Sequence, residues 1–161
     1  MSFFDFFKKP GGFRIDPLSS DAASRMAAIH GASFARSWST LELERLLAER
    51  GVVGDGLFLG PATKPTGFVL SRIVLDEAEI LTLAIAPEAR GRGLSIPLLE
   101  RHLDELSRRG VRIVHLEVEE GNDPAIALYR HFDFKETGRR EGYYQKADGS
   151  RVAALTMALG L

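Results

Sequence analysis

Residues 81–110 read LTLAIAPEARGRGLSIPLLERHLDELSRRG, and three local signals follow one another in this stretch. Leu81 to Ile85 belongs to a β-rich run that Pro87 ends. Apolar residues then recur at 94, 98, 99, 103 and 106 ahead of Gly110, the spacing of one helix face followed by a glycine stop. Between strand and helix lie Arg90, Gly91, Arg92, Gly93, Leu94 and Ser95. Successive backbone N–H groups in such a loop can converge on an anion, and the helix N-terminus adds unpaired donors and a partial positive charge. Gly91 and Gly93 permit positive φ at a sharp turn and keep side chains out of a phosphate's way, while Arg90 and Arg92 add full charges. On this motif alone, a solvated turn with two exposed arginines stays open. The loop is not the dinucleotide GxGxxG, because Leu94 and Ser95 follow the second glycine, and it lacks the Lys-Ser/Thr pair of a P-loop.

The order of strand, loop and helix repeats downstream. Ile113 to Val118 reads as a strand, Glu119 to Asn122 as a loop, and Asp123 as the N-cap of a short helix with Pro124 at its first position, running to about Phe132. Strands near Phe134 to Tyr144 and Val152 to Leu159 close the chain around a turn at Asp148 and Gly149. Upstream, a short strand at Phe13 to Ile15 precedes a helix between Ser20 and Phe34. A second helix opens at Ser39, which forms a capping box with Glu42, and Gly51 supplies its stop. Leu57 to Gly60, Thr66 to Leu75 and Glu79 to Ile85 read as a strand meander. These elements predict an α/β (α+β) architecture, a mixed sheet flanked by helices in a single domain over residues 13–161. Residues 1–12 mix Phe with Lys8, Lys9, Pro10 and a glycine pair and read as a flexible N-terminal arm.

Composition narrows the function. A net charge of -1 leaves no basic excess to hold a polyanion, which disfavours nucleic acid as the main ligand. No apolar run approaches the roughly 20 residues that span a bilayer, and Met1 to Phe7 lacks a signal peptide's basic-then-apolar order, so a cytoplasmic protein without membrane contact is expected. With 0 cysteines there is no thiolate metal site or cysteine nucleophile, and the 4 histidines show no ligand spacing, so no metal is expected. Chemistry falls to carboxylates, hydroxyls and backbone.

The ordered motifs resemble the GNAT superfamily of N-acetyltransferases: strand, Arg-x-x-Gly-x-Gly-type loop at 90–95, helix, strand, Asn122 loop, then a helix with Ala125 to Tyr129. More narrowly, Val74 to Glu77, Leu81 to Pro87, Leu116 to Val118, Asn122, Ala125 to Tyr129, Phe134 and Tyr143-Tyr144 are similar to RimI-type ribosomal-protein N-acetyltransferases. The resemblance implies the GNAT fold, a mostly antiparallel mixed sheet of about seven strands with about four helices. It implies acetyl-coenzyme A as cofactor, held by backbone groups of Leu83, Ala84 and Ile85, by Arg90 to Ser95, and by Asn122 and Tyr129. Four residues depart from the family pattern: Ser95 stands where Gly or Ala is usual, Asp133 where Gly commonly precedes Phe134, Ser37 where Pro often precedes Trp38, and Ala153 where Asp is common.

Along Ile113 to Glu119 the two-residue strand period sends Val114, Leu116 and Val118 to one face and His115, Glu117 and Glu119 to the other. The resemblance makes Glu117 the general base, directly or through one water, with partial burial raising its pKa, and Tyr129 the acid for the leaving thiolate. A solvated strand glutamate and a core tyrosine are the plain alternatives from pattern alone. Trp38, Arg139, Tyr143 and Tyr144 would line the acceptor groove. The implied reaction is direct acetyl transfer in a ternary complex to a protein N-terminal α-amine, with a ribosomal protein as the partner. A free α-amine, with pKa roughly 8, is easier to deprotonate than a lysine near 10.4. A small-molecule amine acceptor, a non-catalytic acyl-coenzyme A binding module and a nucleotide-binding domain are the rival readings.

Overall fold

The computed structural model describes residues 12–161, so the arm expected over residues 1–12 lies outside the described residues except for Gly12. Seven strands form one sheet: β1 (Phe13–Pro17), β2 (Val52–Leu59), β3 (Gly67–Val74), β4 (Glu77–Ile85), β5 (Ile113–Glu119), β6 (Lys135–Gln145) and β7 (Arg151–Gly160). Their order is β1-β2-β3-β4-β5-β7-β6, antiparallel everywhere except the β4–β5 joint. Four helices pack on it: α1 (Ala23–Ser33), α2 (Thr40–Ala48), α3 (Ser95–Arg108) and α4 (Asp123–His131). This is the mixed, mostly antiparallel seven-stranded sheet with four helices that the resemblance implies. Among the described residues no helix is long and apolar enough to cross a membrane.

Each sheet face carries its own core. On one, Leu98, Leu99, Leu103 and Leu106 of α3 and Ile126 and Tyr129 of α4 pack against Val69, Ile80, Val114, Leu116 and Met157. On the other, Met26 and Ile29 of α1 and Leu43 of α2 pack against Phe68, Leu70, Ala84 and Ala86. Leu98, Leu99 and Leu106 are 0% exposed, and burying each contributes about 2 kcal/mol. A buried polar chain also fastens α3 to the sheet: His102 Nδ1 donates to Asp55 Oδ2 of β2 at 2.6 Å, and His102 Nε2 meets Ser71 Oγ of β3 at 2.7 Å.

Local chemistry sets the element ends. The Ser39 capping box is present: Ser39 Oγ accepts from Glu42 N at 3.2 Å, and the Glu42 carboxylate accepts from Ser39 N at 2.6 Å. The N-cap of α4 is Asn122 rather than Asp123; Asn122 Oδ1 accepts from Ala125 N at 3.4 Å, which moves Asp123 to the first helical position and Pro124 to the second. Proline is tolerated there because that N–H has no intrahelical partner anyway. Strand β2 starts at Val52, five residues before the expected Leu57, because Gly54, Asp55 and Gly56 hide a strand that the apolar pattern would otherwise disclose. Asp133 has φ 68, a left-handed conformation that glycine adopts freely and that Asp tolerates better than most residues, which accounts for the glycine common at this position.

Candidate active site

The centre of the sheet is forked. Strands β4 and β5 pair only from Glu77↔Ile113 to Ile80↔Leu116, although β4 continues to Ile85 and β5 to Glu119. The cause lies in β4: Leu70 faces Thr82 while Ser71 faces Ile80, so Leu81 is an extra residue, a β-bulge that bends and twists the strand. Beyond it the faces exchange. Ile80 lies in the α3/α4 core, as do Leu83 and Ile85, while Leu81 and Ala84 lie in the α1/α2 core. Thr82 to Ile85 remain bonded to β3 on one side, and Glu117 to Glu119 to β7 on the other, so two strand edges face each other unpaired inside the sheet. At the base of this fork Thr82 is 7% exposed, and its hydroxyl has no hydrogen-bond partner among the described residues.

At the mouth of the fork, the N–H groups of Gly91 to Ser95 have no hydrogen-bond partner among the described residues, and α3 begins at Ser95. Gly91 has φ +77 and Gly93 φ 69, and a Cβ built on Gly91 would meet nothing within 4 Å, so the loop borders open space at Gly91. A helix N-terminus preceded by free amides suits a diphosphate. The two loop arginines are engaged differently. Arg92 Nη2 reaches back to Glu88 O at 3.4 Å within the loop. Arg90 turns toward α1, its Nη2 donating to Ser33 Oγ at 3.0 Å and its Nε to Ile85 O at 3.0 Å.

Glu117 projects from β5 toward the α1/α2 side, opposite Val114, Leu116 and Val118, as the strand period predicts. Its side chain is 23% exposed, and Arg140 Nη2 lies 3.5 Å from its Oε1. Tyr129 comes from α4 on the other face, 7% exposed and packed edge-on against Phe134 at 5.6 Å. Burial, with a smaller push from Tyr144, raises its phenol to about 12, so it holds its proton throughout the neutral range. Tyr144 is also raised to about 12, first by burial and then by the Glu117 carboxylate. The structure thus brings Glu117, Tyr129 and Tyr144 into one electrostatic neighbourhood at the fork, with Tyr143 against Tyr144 at 5.2 Å and beneath the Arg140 guanidinium at 4.8 Å.

Trp38 sits on the α1–α2 loop, packed against the α1/α2 core. Its ring stacks on His30 at 4.7 Å, its backbone N–H donates to His30 Nδ1 at 3.1 Å, and Phe34 packs on the same imidazole at 4.5 Å. Burial lowers the His30 pKa, so the ring stays neutral and accepts that bond. Arg139 does not point free into a groove, because its guanidinium is clamped by Glu141 at 2.5 Å and by Glu120. Asn122 is the helix cap described above. Reading the residues in order missed His30, Arg140 and Thr82. His30 lies in the last turn of α1 four residues before its cap residue Phe34, a spacing that was legible; the other two depend on the fork.

Comparison with known proteins agrees with the fold. The model of the acetyltransferase (GNAT) family matches residues 23–134. The [ribosomal protein bS18]-alanine N-acetyltransferase of Escherichia coli K12 is 43% identical over 96 residues, 60% of this chain and 64% of the relative. Its Salmonella typhimurium LT2 counterpart is 44% identical over 92 residues, 57% and 62% of the two chains. The matches to these curated relatives therefore span just under two thirds of their length. The crystal structure of the ribosomal-protein-S18-alanine N-acetyltransferase from Escherichia coli superposes with TM-score 0.84 at 32% identity over 92% of this chain and 93% of that one. Arabidopsis thaliana NAA60 in complex with acetyl-CoA shares the fold, with TM-score 0.82 at 22% identity over 92% and 98% of the chains.

Proposed function

This chain belongs to the acetyltransferase (GNAT) family, and from that premise we propose that it carries the acetyl group of acetyl-coenzyme A to the α-amine at a protein N-terminus, a ribosomal protein in the cytoplasm being the acceptor. The observation that carries the proposal is the fork: two unpaired strand edges bordered by a loop of free amides, with a carboxylate on one side and a protonated phenol on the other. Buried unpaired backbone is costly, and a linear amide-bearing ligand of the pantetheine type would complete the pairing that β4 and β5 leave undone. The N–H groups of Gly91 to Ser95 would hold the diphosphate, and Leu83, Ala84, Ile85 and Asn122 would border the arm. When bound, the cofactor supplies an acyl thioester. The kinship to alanine N-acetyltransferases of ribosomal protein bS18, 43% identical over the matched region, supports the acceptor class.

In this reading Glu117 takes the proton that the α-ammonium must lose to become the attacking amine, directly or through one water. A strand N–H in the fork would stabilise charge developing on the thioester oxygen, a contribution typically of about 3 kcal/mol. Tyr129 would stand by the thioester sulfur of the bound cofactor. With its phenol near 12, complete proton transfer to a thiolate whose conjugate acid lies near 8.5 is uphill, so Tyr129 acts foremost as a hydrogen-bond donor to the sulfur. Trp38, Tyr143 and Tyr144 would flank the acceptor, and Arg139 would set the hairpin through its carboxylate pairs rather than by contact.

The test is thiol release with peptides beginning Ala, Ser, Thr, Gly or Met, set beside polyamine and aminoglycoside acceptors. Glu117→Gln should lower kcat by about 100-fold, and Tyr129→Phe by about tenfold. Wild-type rates in both variants would remove the assigned roles, and turnover confined to small amines would remove the protein acceptor.

A further inference from the structure

We infer that Arg90 is a strut between the cofactor loop and the acceptor loop, a positioning residue rather than a diphosphate ligand. Its Nε donates to Ile85 O at 3.0 Å, the last residue of the forked strand, and its Nη2 to Ser33 Oγ at 3.0 Å and Ala32 O at 3.5 Å. Ser33 in turn donates to Ile29 O at 2.8 Å, so the guanidinium caps the C-terminal turn of α1, where free carbonyls and the helix dipole favour a cation. The planar fork of arginine suits this divided contact, which an ammonium would not reproduce.

A second tie holds the other end of the same helix. Arg25 Nη2 meets Glu88 Oε1 at 2.7 Å and Arg25 Nε donates to Pro65 O at 3.1 Å. Both ends of α1 are therefore pinned to the segment that leads into the cofactor loop. The α1–α2 loop begins one residue past Ser33, and its rings, Phe34 and Trp38, hang on His30 of the last α1 turn. Any rearrangement of the cofactor loop on binding reaches the acceptor side through Arg90, and the acceptor site is set by the strut before the acceptor arrives.

This inference rests on the proposed acetyl transfer for its kinetic readout. Acetyl-coenzyme A affinity is measured by calorimetry without acceptor, and acceptor KM at saturating acetyl-coenzyme A, in the wild type, Arg90→Ala, Arg90→Lys, Ser33→Ala and the Arg90→Ala/Ser33→Ala double variant. The strut predicts acceptor KM up roughly tenfold in Arg90→Ala with cofactor Kd within about twofold. It predicts no rescue by Arg90→Lys, which keeps the charge and loses the fork. Ser33→Ala should raise acceptor KM about threefold, and the double variant should be no worse than Arg90→Ala alone. A weakened cofactor Kd, full rescue by lysine, additive effects or unchanged constants each overturn the strut. A wild type silent with every α-amine peptide would instead sink the acetyl-transfer reading. In that event amide exchange still tests the strut: acetyl-coenzyme A should slow exchange over residues 30–38 in the wild type and not in Arg90→Ala, and equal slowing in both refutes it.

Discussion

Replacing His102 by leucine should cost this protein a large part of its stability. The ring is 0% exposed and joins Asp55, 5% exposed, to Ser71, 0% exposed, so a leucine leaves a buried carboxylate and a buried hydroxyl without partners. A carboxylate accepts from Nδ1 on one side of the ring, and Nε2 pairs with the Ser71 hydroxyl on the other. Leaving a buried carboxylate without its compensating partner costs about 3–5 kcal/mol, and an orphaned hydroxyl about 1–3 kcal/mol. The added apolar burial offsets about 2 kcal/mol. The net loss is about 4 kcal/mol out of the 5–15 kcal/mol typical of a domain, and Tm should fall by roughly 10 °C. Calorimetric melting checks this, with urea unfolding at unchanged m-value as the second measure. The triple variant Asp55→Val/Ser71→Ala/His102→Leu, which removes all three polar groups, should recover most of the loss. Should His102→Leu melt within about 3 °C of the wild type, or the triple variant fall below it, the chain of bonds does not anchor α3 as argued.

Ultraviolet titration should find Tyr129 and Tyr144 ionising only near pH 12, and Tyr129→Phe and Tyr144→Phe should each delete one late step. Because both folded values lie above the ordinary phenol range, the stability they confer is fully present below pH 10 and is lost as pH rises toward 12. His30 has the opposite dependence: its folded pKa lies below the ordinary 6.5, so the unfolded chain binds the proton first and stability declines as pH falls below 6.5. A melting series from neutral to mildly acidic pH should show this, and His30→Gln should flatten it. Gly91→Ala meets nothing within 4 Å but must hold φ +77, so it should cost about 1 kcal/mol in the free protein and weaken acetyl-coenzyme A further, because its methyl enters the space in front of the free amides. An acetyl-coenzyme A Kd equal to wild type would show that those amides do not hold the diphosphate.

Much of this architecture was legible because it is local. The apolar rows of α3, the Ser39–Glu42 cap and the strand alternation around Glu117 are written in neighbouring residues, and each appears as the spacing predicts. Partner choice was not legible, because it is decided across elements. Arg90 and Arg139 both read as charges available to a ligand, yet one is spent on the end of α1 and the other on Glu120 and Glu141. Nor did the sequence order disclose that Asp55, Ser71 and His102, from three separate elements, converge in the core. The cap of α4 slipped by one residue because Asn122 and Asp123 are both good caps, and only the reach of a side chain to Ala125 N separates them.

The bulge at Leu81 has a sequence signature that periodicity alone hides. Before it, Ala78 and Ile80 face α3; after it, Leu83 and Ile85 face that way and Ala84 faces α1. Without the extra residue the large and small side chains would exchange faces, placing Leu83 and Ile85 under α1, where Ala84 and Ala86 now allow the helix to approach, and leaving alanine to fill the α3 core. The alternation of large and small residues therefore fits only the bulged register. That register is also the one in which β4 parts from β5, so the packing that seats α1 and the opening that admits a ligand follow from the same inserted residue. Close seating of α1 brings Ser33 within reach of Arg90, which links the size pattern of a strand to the spacing between the two loops of the site.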